Sequence, residues 1–241
     1  VLAFARTNGL DKVLFDSPRR ELSIVSAGKP YLDLREALVE LGIDERRAAG
    51  LGIRLYKLGM IHPVEPEGAL AFARGSRELL VIEEKNAFIE EQLASLLYST
   101  PADARPVLTG KKDPSGKPLL PEFGETSVNL VREVLVERIE ALGIADAALA
   151  ERIARIRERK AQARPVAPTG LMRTAYFCSG CPHNTSTRTV PGSLTFAGVG
   201  CHGLAPMFMV DRPTEWAVQM GGEGMLWAGL HPFIDVPHAF Q

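Results

Sequence analysis

The first half of the chain alternates between two hydrophobic patterns, one typical of strands and one typical of helices. Short β-rich runs occupy residues 21–27, 53–58, 78–83 and 107–109. Between these runs, apolar residues recur at helical spacing over residues 31–41, 66–74 and 86–97. Strands that alternate with helices through short links are typically parallel, so the pattern predicts an α/β fold. We expect a parallel-sheet domain over residues 20–110, preceded by a leading segment at residues 1–19.

The pattern changes after the fourth predicted strand. Residues 111–124 are polar and rich in proline and glycine, which is typical of a linker. Two amphipathic helices follow, and Thr126 or Ser127 is the expected N-cap of the first. We therefore expect a linker and a helical pair over residues 111–169, followed by a second domain over residues 170–241.

Composition narrows the classes of function. Hydrophobic residues make up 46% of the chain and charged residues 24%, as in ordinary globular proteins. The 28 Lys and Arg residues are balanced by 29 Asp and Glu residues, which argues against a nucleic-acid or membrane-surface partner. No apolar run reaches the roughly 18 residues that a membrane span needs. Because neither end carries a start or stop signal, we expect the chain to be an internal piece of a larger protein.

Candidate chemistry concentrates in residues 171–241. Cys178 and Cys181 form a Cys-x-x-Cys pair, and Cys201 lies in a glycine-rich string. Three cysteines do not make a disulfide framework, and this spacing favours metal binding or redox chemistry in a reducing cytoplasm. An iron–sulfur cluster would need a fourth ligand from elsewhere.

Other interpretations of these cysteines stay open at this point. Zinc could be bound with His183 or His202 as the fourth ligand. A Cys-x-x-Cys pair also suits a redox dithiol, and the three cysteines could equally be ordinary loop residues.

Two further features carry weaker signals. The glycine-rich string at residues 219–224 could close around a phosphate group, or it could be a tight turn into a helix. Residues 83–85 (Glu-Glu-Lys) end the third predicted strand, at the edge of a parallel sheet where ligands often bind. Charges at such a position are more commonly solvated or locally paired.

Several of these strings together resemble one family. The chain is similar to the large fused type of indolepyruvate ferredoxin oxidoreductase, within the 2-oxoacid:ferredoxin oxidoreductase superfamily. The resemblance rests mainly on residues 4–11, 81–85, 177–186, 198–202 and 219–224. It implies a transketolase C-terminal-like domain over residues 20–110. It also implies that residues 170–241 are the truncated N-terminal part of a thiamine-diphosphate-binding α/β domain.

The resemblance also implies a reaction and its cofactors. The family oxidatively decarboxylates aryl 2-oxo acids such as indolepyruvate, passes electrons to ferredoxin and transfers the acyl group to coenzyme A. The expected cofactors are thiamine diphosphate, Mg²⁺ held mostly by residues outside this chain, and a [4Fe–4S] cluster. The expected partners are ferredoxin, the remaining domains of the parent chain and a second copy in a cytoplasmic homodimer. A zinc-stabilised interaction module without a redox role is the alternative.

Matching positions carry the family's functional residues over to this sequence. The implied cluster ligands are Cys178, Cys181 and Cys201. The implied thiamine-site residues are His183, Gly198, Gly200, His202, Gly221, Gly222 and Gly224. No residue is assigned a catalytic role by the resemblance.

Overall fold

The chain forms two compact units, Val1–Ala163 and Arg164–Gln241. The structure, a computed structural model, describes residues 1–162, 170, 174–209, 211–212, 214–236 and 239–240. Both units combine helices with mostly parallel strands, which confirms the predicted α/β class. No helix among these residues has both the length and the apolar character to cross a membrane.

A five-stranded sheet forms the centre of the first unit. In chain order its strands are β1 (Lys12–Phe15), β2 (Leu22–Ser26), β3 (Ile53–Lys57), β4 (Glu78–Ile82) and β5 (Val107–Thr109). The spatial order is β1-β3-β2-β4-β5, and every neighbouring pair is parallel except β1 with β3. The four predicted strands are confirmed. The leading segment was expected outside the sheet, but it supplies the antiparallel edge strand β1.

Seven helices surround this sheet within residues 1–162. They are α1 (Leu2–Thr7), α2 (Gly28–Glu40), α3 (Glu45–Leu51), α4 (Pro66–Ala73), α5 (Phe88–Tyr98), α6 (Val128–Leu142) and α7 (Ala147–Gln162). A short 3₁₀ turn covers Ala102–Ala104. Helix α3, between Gly42 and Gly52, has no counterpart among the predicted helices. Helix α2 begins at Gly28 with Pro30 in its first turn, a position that tolerates proline because the amide there has no intrahelical partner.

The hydrophobic core lies on both faces of the sheet. Leu22 and Ile24 of β2 belong to one cluster and Val25 to the other, as expected for side chains that alternate along a strand. Residues from α2, α3, α6 and α7 cover the first face, and residues from α4 and α5 cover the second. Burial on both faces explains why the strands have nearly continuous apolar sequences.

Residues 111–124 are not a linker, because they pack into the first unit. Leu119 and Leu120 are buried in the first core cluster, although prolines and charges surround them in the sequence. Lys111 is also buried, and its Nζ donates a hydrogen bond of 2.8 Å to the carbonyl oxygen of Glu83. The polar stretch is therefore a covering loop whose few apolar side chains complete the core.

A buried ion pair attaches helix α6 to the central sheet. Arg138 donates from Nε and Nη2 to the two carboxylate oxygens of Glu78, at 2.8 Å each, and both residues are buried. These hydrogen bonds raise the pKa of Arg138. Ser127, one of the two expected N-caps, accepts from the Leu130 amide, and the helix ends at Gly143 in the left-handed conformation.

Because of these contacts, the first unit is larger than the parallel-sheet domain predicted over residues 20–110. The leading segment and the helical pair both belong to the first unit, which ends at Ala163. The end of the predicted linker and helical pair, residues 163–169, lies outside the described residues.

The second unit has shorter elements. Its strands are β6 (Leu194–Ala197), β7 (Trp216–Ala217) and β8 (Ala239–Phe240), which form a parallel sheet in the order β7-β6-β8. Its helices are α8 (His183–Ser186), α9 (Leu204–Phe208) and α10 (Met225–Leu230). Two 3₁₀ turns cover Cys201–Gly203 and His231–Phe233.

Candidate functional site

A cavity of about 290 Å³ in the second unit brings together three polar side chains from separate segments. His183 begins helix α8, His202 lies in the 3₁₀ turn after β6, and Glu223 lies in the loop before α10. Hydroxyl groups contribute the remaining polar lining, from Ser186, Thr187, Thr189, Thr195 and Thr214. The cavity therefore offers imidazole nitrogens, hydroxyls and one carboxylate to a ligand.

The backbone determines the tautomer of His202. The amide of Gly198 donates to Nε2 of His202 at 3.1 Å. Because a backbone N–H only donates, Nε2 must accept, and the ring proton lies on Nδ1. His202 is thus a hydrogen-bond donor through Nδ1.

His183 is held in a row of stacked rings. Its imidazole lies 5.3 Å from the ring of Phe177, with an interplanar angle of 28°. Its imidazole also lies 6.1 Å from the ring of His202, at 30°. Phe177 is one of the few buried residues in the described part of this unit, so the stack is anchored at this ring. The stack places both predicted histidines in one cavity wall.

The glycines predicted for the thiamine site do not line the cavity themselves. Their lack of a side chain instead leaves space for neighbouring residues. A Cβ added to Gly198 would lie 2.5 Å from Glu223 Oε1, and one added to Gly200 would lie 2.9 Å from Cε1 of His202. Gly221 and Gly224 have φ values of 83° and 81°, where other residues are strained. A Cβ at Gly222 would lie 3.0 Å from the side chain of Gln219.

The three cysteines are free thiols in two separate segments, the loop before α8 and the 3₁₀ turn that begins at Cys201. Cys178 and Cys201 are exposed, and half-buried Cys181 places its Sγ 3.2 Å from Nδ1 of His183. Within the described residues, no three His, Cys, Asp or Glu side chains are grouped closely enough to hold a metal ion. As placed, the thiols do not fit a complete iron–sulfur cluster or zinc site.

Two residues near the cavity were not predicted from the sequence. Glu223 was overlooked, although it is the only acidic residue in the string at residues 219–224. Arg212 was also overlooked; its guanidinium lies 5.5 Å from the centre of the Phe177 ring. No sequence motif surrounds Arg212, so the sequence does not indicate that it lies near the cavity.

The charged end of β4 has a structural role. Glu83 is buried and accepts hydrogen bonds from the amides of Ile89 and Glu90, at 2.7 and 3.0 Å. Burial raises the pKa of Glu83. Its carboxylate therefore satisfies two of the N-terminal amides of α5. Local pairing was the expected outcome for these charges.

The sequence matches one family over most of the first unit. The model of the indolepyruvate oxidoreductase domain matches residues 12–163. The chain is 26% identical over 216 residues to an indolepyruvate oxidoreductase subunit IorA of Thermococcus kodakarensis, covering 85% of this chain and 29% of that protein. It is also 26% identical over 232 residues to the subunit of the same name in Methanothermobacter marburgensis, covering 90% of this chain and 32% of that protein.

These alignments extend into the second unit, since the first unit alone is shorter than the aligned region. The chain spans about three tenths of the length of these relatives.

Solved structures are less similar. A split-gene transketolase described as an inactive β4 tetramer matches with a TM-score of 0.38 and 18% identity, covering 54% of this chain and 41% of that one. A 2-oxoglutarate:ferredoxin oxidoreductase from Magnetococcus marinus, with 2-oxoglutarate, coenzyme A and succinyl-CoA bound, matches with a TM-score of 0.35 and 17% identity. This match covers 56% of this chain and 22% of that protein chain. Similarities this low carry no argument about function. The family model, which covers more than half of the sequence, shows that the chain belongs to the indolepyruvate oxidoreductase domain family.

Proposed function

We propose that this chain is part of a thiamine-diphosphate-dependent oxidoreductase that oxidatively decarboxylates aryl 2-oxo acids such as indolepyruvate. Membership of the indolepyruvate oxidoreductase domain family is the observation that carries the proposal. The geometry of the second unit supports it, since His183 and His202 lie in the wall of one cavity. The enzyme is expected to work in the cytoplasm.

The cavity suits part of a thiamine diphosphate site. Its hydroxyl groups and the Nδ1–H of His202 are uncharged hydrogen-bond donors. An anionic or heterocyclic ligand could accept hydrogen bonds from them. When bound, thiamine diphosphate would supply the carbanion chemistry that decarboxylation requires. Within this chain, His183 would form the wall against the cofactor, and His202 would donate through Nδ1. Glu223 would present a carboxylate at the same wall.

The remaining parts of the proposal concern the whole enzyme. Electrons would pass to ferredoxin and the acyl group to coenzyme A, with Mg²⁺ bound mostly by residues outside this chain. The protein would act as a homodimer with the remaining domains of the parent chain. Because so much of the site lies elsewhere, we expect the 241-residue chain alone to show no turnover.

The decisive experiment replaces His202 by phenylalanine in the complete enzyme. The phenyl ring preserves the planar shape next to His183 but removes the Nδ1 donor, and with it the Nε2 acceptor of the Gly198 amide. Loss of one preorganised donor typically lowers kcat by about 10²–10³-fold, and we expect a loss of that order in indolepyruvate-dependent reduction of ferredoxin. His231→Phe is the matched control, because His231 belongs to the same unit but lies outside the cavity lining. Full activity of His202→Phe would remove this cavity from the proposal.

A separate measurement addresses the cysteines. Iron and acid-labile sulfide are determined in the complete enzyme purified without oxygen, with and without Cys178→Ser. Loss of iron and sulfide together in the variant would assign a cluster to these loops. Zinc in the protein, or iron unchanged by the substitution, would support the zinc-stabilised interaction module instead.

A further inference from the structure

Arg212 is a buried cation whose burial is poorly compensated. Its side chain is 8% exposed, and the carboxylate of Asp211 lies 3.8 Å from its Nε, outside hydrogen-bond distance. In the described part of the chain, this Nε is buried and has no hydrogen-bond partner. A buried donor without an acceptor costs free energy, so the fold gains little from having a guanidinium here.

Arg212 reaches His183 by two routes. Through the first, its guanidinium lies over the ring of Phe177 at 5.5 Å, and that ring stacks on His183 at 5.3 Å. Through the second, Nη1 donates at 2.8 Å to the hydroxyl of Thr187. The Thr187 hydroxyl in turn donates at 2.6 Å to the carbonyl oxygen of His183. The ring of His183 and its backbone are thus both held from the same side chain.

We propose that Arg212 is the positioning residue of His183. Its cation–π contact keeps the Phe177 ring in place, and its hydrogen bond to Thr187 holds the residue that follows α8. Together these contacts orient the imidazole in the cavity wall. The expected effect of Arg212 on ligand affinity rests on the proposed function, in which thiamine diphosphate is the ligand. The expected effect on the orientation of the His183 ring does not rest on it.

Three variants separate positioning from stability. Arg212→Met removes the charge, the cation–π contact and the hydrogen bond, but retains apolar volume. Arg212→Lys retains a cation and a donor. Arg188→Met is the control, because Arg188 is exposed in the same unit and its Nε donates to the carbonyl oxygen of Asn184 at 3.2 Å.

Two readouts report the positioning of His183, and a third measurement monitors stability. The first is the NMR chemical shift of the His183 ring protons in the 241-residue chain with ¹³C-labelled histidine, assigned with His183→Gln. This shift depends on the ring current of Phe177. The second is the dissociation constant of thiamine diphosphate for the complete enzyme. Denaturant unfolding followed by tryptophan fluorescence monitors stability, since Trp216 and Trp227 both lie in the second unit.

In Arg212→Met we expect a displaced His183 shift and a dissociation constant raised about tenfold, because the His183 ring must then be ordered when the ligand binds. Its unfolding midpoint should be unchanged or higher, because apolar replacement of a poorly paired buried charge is often neutral or stabilising. Arg212→Lys should restore most of the affinity, and Arg188→Met should match the wild type.

An unchanged His183 shift in Arg212→Met would overturn the inference, and so would unchanged affinity in an enzyme that binds thiamine diphosphate. A wild-type enzyme that does not bind thiamine diphosphate would refute the proposed function. In that case the shift alone would decide whether Arg212 positions His183.

Discussion

The two units of this chain bury their side chains very differently. The first unit covers both faces of a five-stranded sheet with helices, and most of its strand residues are buried. In the described part of the second unit, the buried hydrophobic residues are Phe177, Phe196, Ala197 and Ala205. Large apolar side chains are exposed there instead, at Tyr176, Val190, Val199, Met207, Phe208, Trp216, Met220, Met225 and Phe233.

This difference shows where rigidity comes from in each unit. In the first, a closed core and a buried ion pair determine the conformation. In the second, the cavity wall depends on stacked rings, one buried arginine and backbone hydrogen bonds. Functional sites commonly lie on such locally less stable segments. The candidate site therefore lies in the unit that has less packing to support it.

The largest expected effect comes from breaking the buried ion pair of the first unit. Glu78→Gln leaves Arg138 buried without its counter-charge, and we expect a loss of about 3–5 kcal/mol in the free energy of unfolding. Urea denaturation followed by circular dichroism measures it. Glu140→Gln is the control, because Glu140 lies on the same helix as Arg138 and forms an exposed ion pair with Arg157 of α7, where we expect about 0–1 kcal/mol. Similar losses in the two variants would contradict the central role of the buried pair.

A second substitution examines the loop that had been predicted as a linker. Leu120→Ala removes a side chain that is 1% exposed and should cost about 2–5 kcal/mol of stability. Phe123→Ala serves as its control, since Phe123 is in the same loop but 81% exposed. If Leu120→Ala left the urea midpoint unchanged, the loop would be a linker after all.

The comparison of the units also predicts the order of unfolding. Tryptophan fluorescence reports only the second unit, whereas far-ultraviolet circular dichroism reports mainly the long helices of the first. We expect the fluorescence transition at the lower urea concentration, with a difference in stability on the order of 2 kcal/mol. Coincident transitions would show that the two units unfold together.

The smallest expected effect concerns the start of α7. Asp146 accepts from the Leu149 amide at 2.7 Å and pairs with Arg47 at 2.8 Å. The amide hydrogen bond and then the arginine hold the pKa of Asp146 below its usual value. Asp146→Ala should cost about 0.5–2 kcal/mol at pH 7.

The pH dependence of this effect follows from the direction of the pKa shift. A carboxyl whose pKa is lowered by folding stabilises the protein above its unfolded pKa of about 3.9, and this contribution is lost as the pH falls through the lowered value. The difference between wild type and Asp146→Ala should therefore shrink below about pH 4. Asp146→Asn, which retains the cap, should lose less at pH 7. A difference independent of pH would exclude the ionised carboxylate as its source.

The local sequence pattern was sufficient to predict much of the secondary structure of the first unit. The four parallel strands follow from their apolar runs, and the start and end of α6 follow from Ser127 and Gly143. Strand β1 was missed because it has only four residues and is stabilised by pairing with β3, about 40 positions further along the chain. Helix α3 was missed because flanking glycines resemble a break, whereas one of them is its C-cap.

In the site, the sequence alone identified the strings that carry His183 and His202, because clustered cysteines, histidines and glycines stand out from the surrounding composition. Only the tertiary structure brought Glu223 and Arg212 to those histidines and left the three cysteines ungrouped within the described residues. The physical reason is the range of the interactions. Periodicity, caps and turns are determined by neighbours a few residues apart, whereas ring stacking, buried hydrogen bonds and covering loops join distant residues that the folded chain brings together.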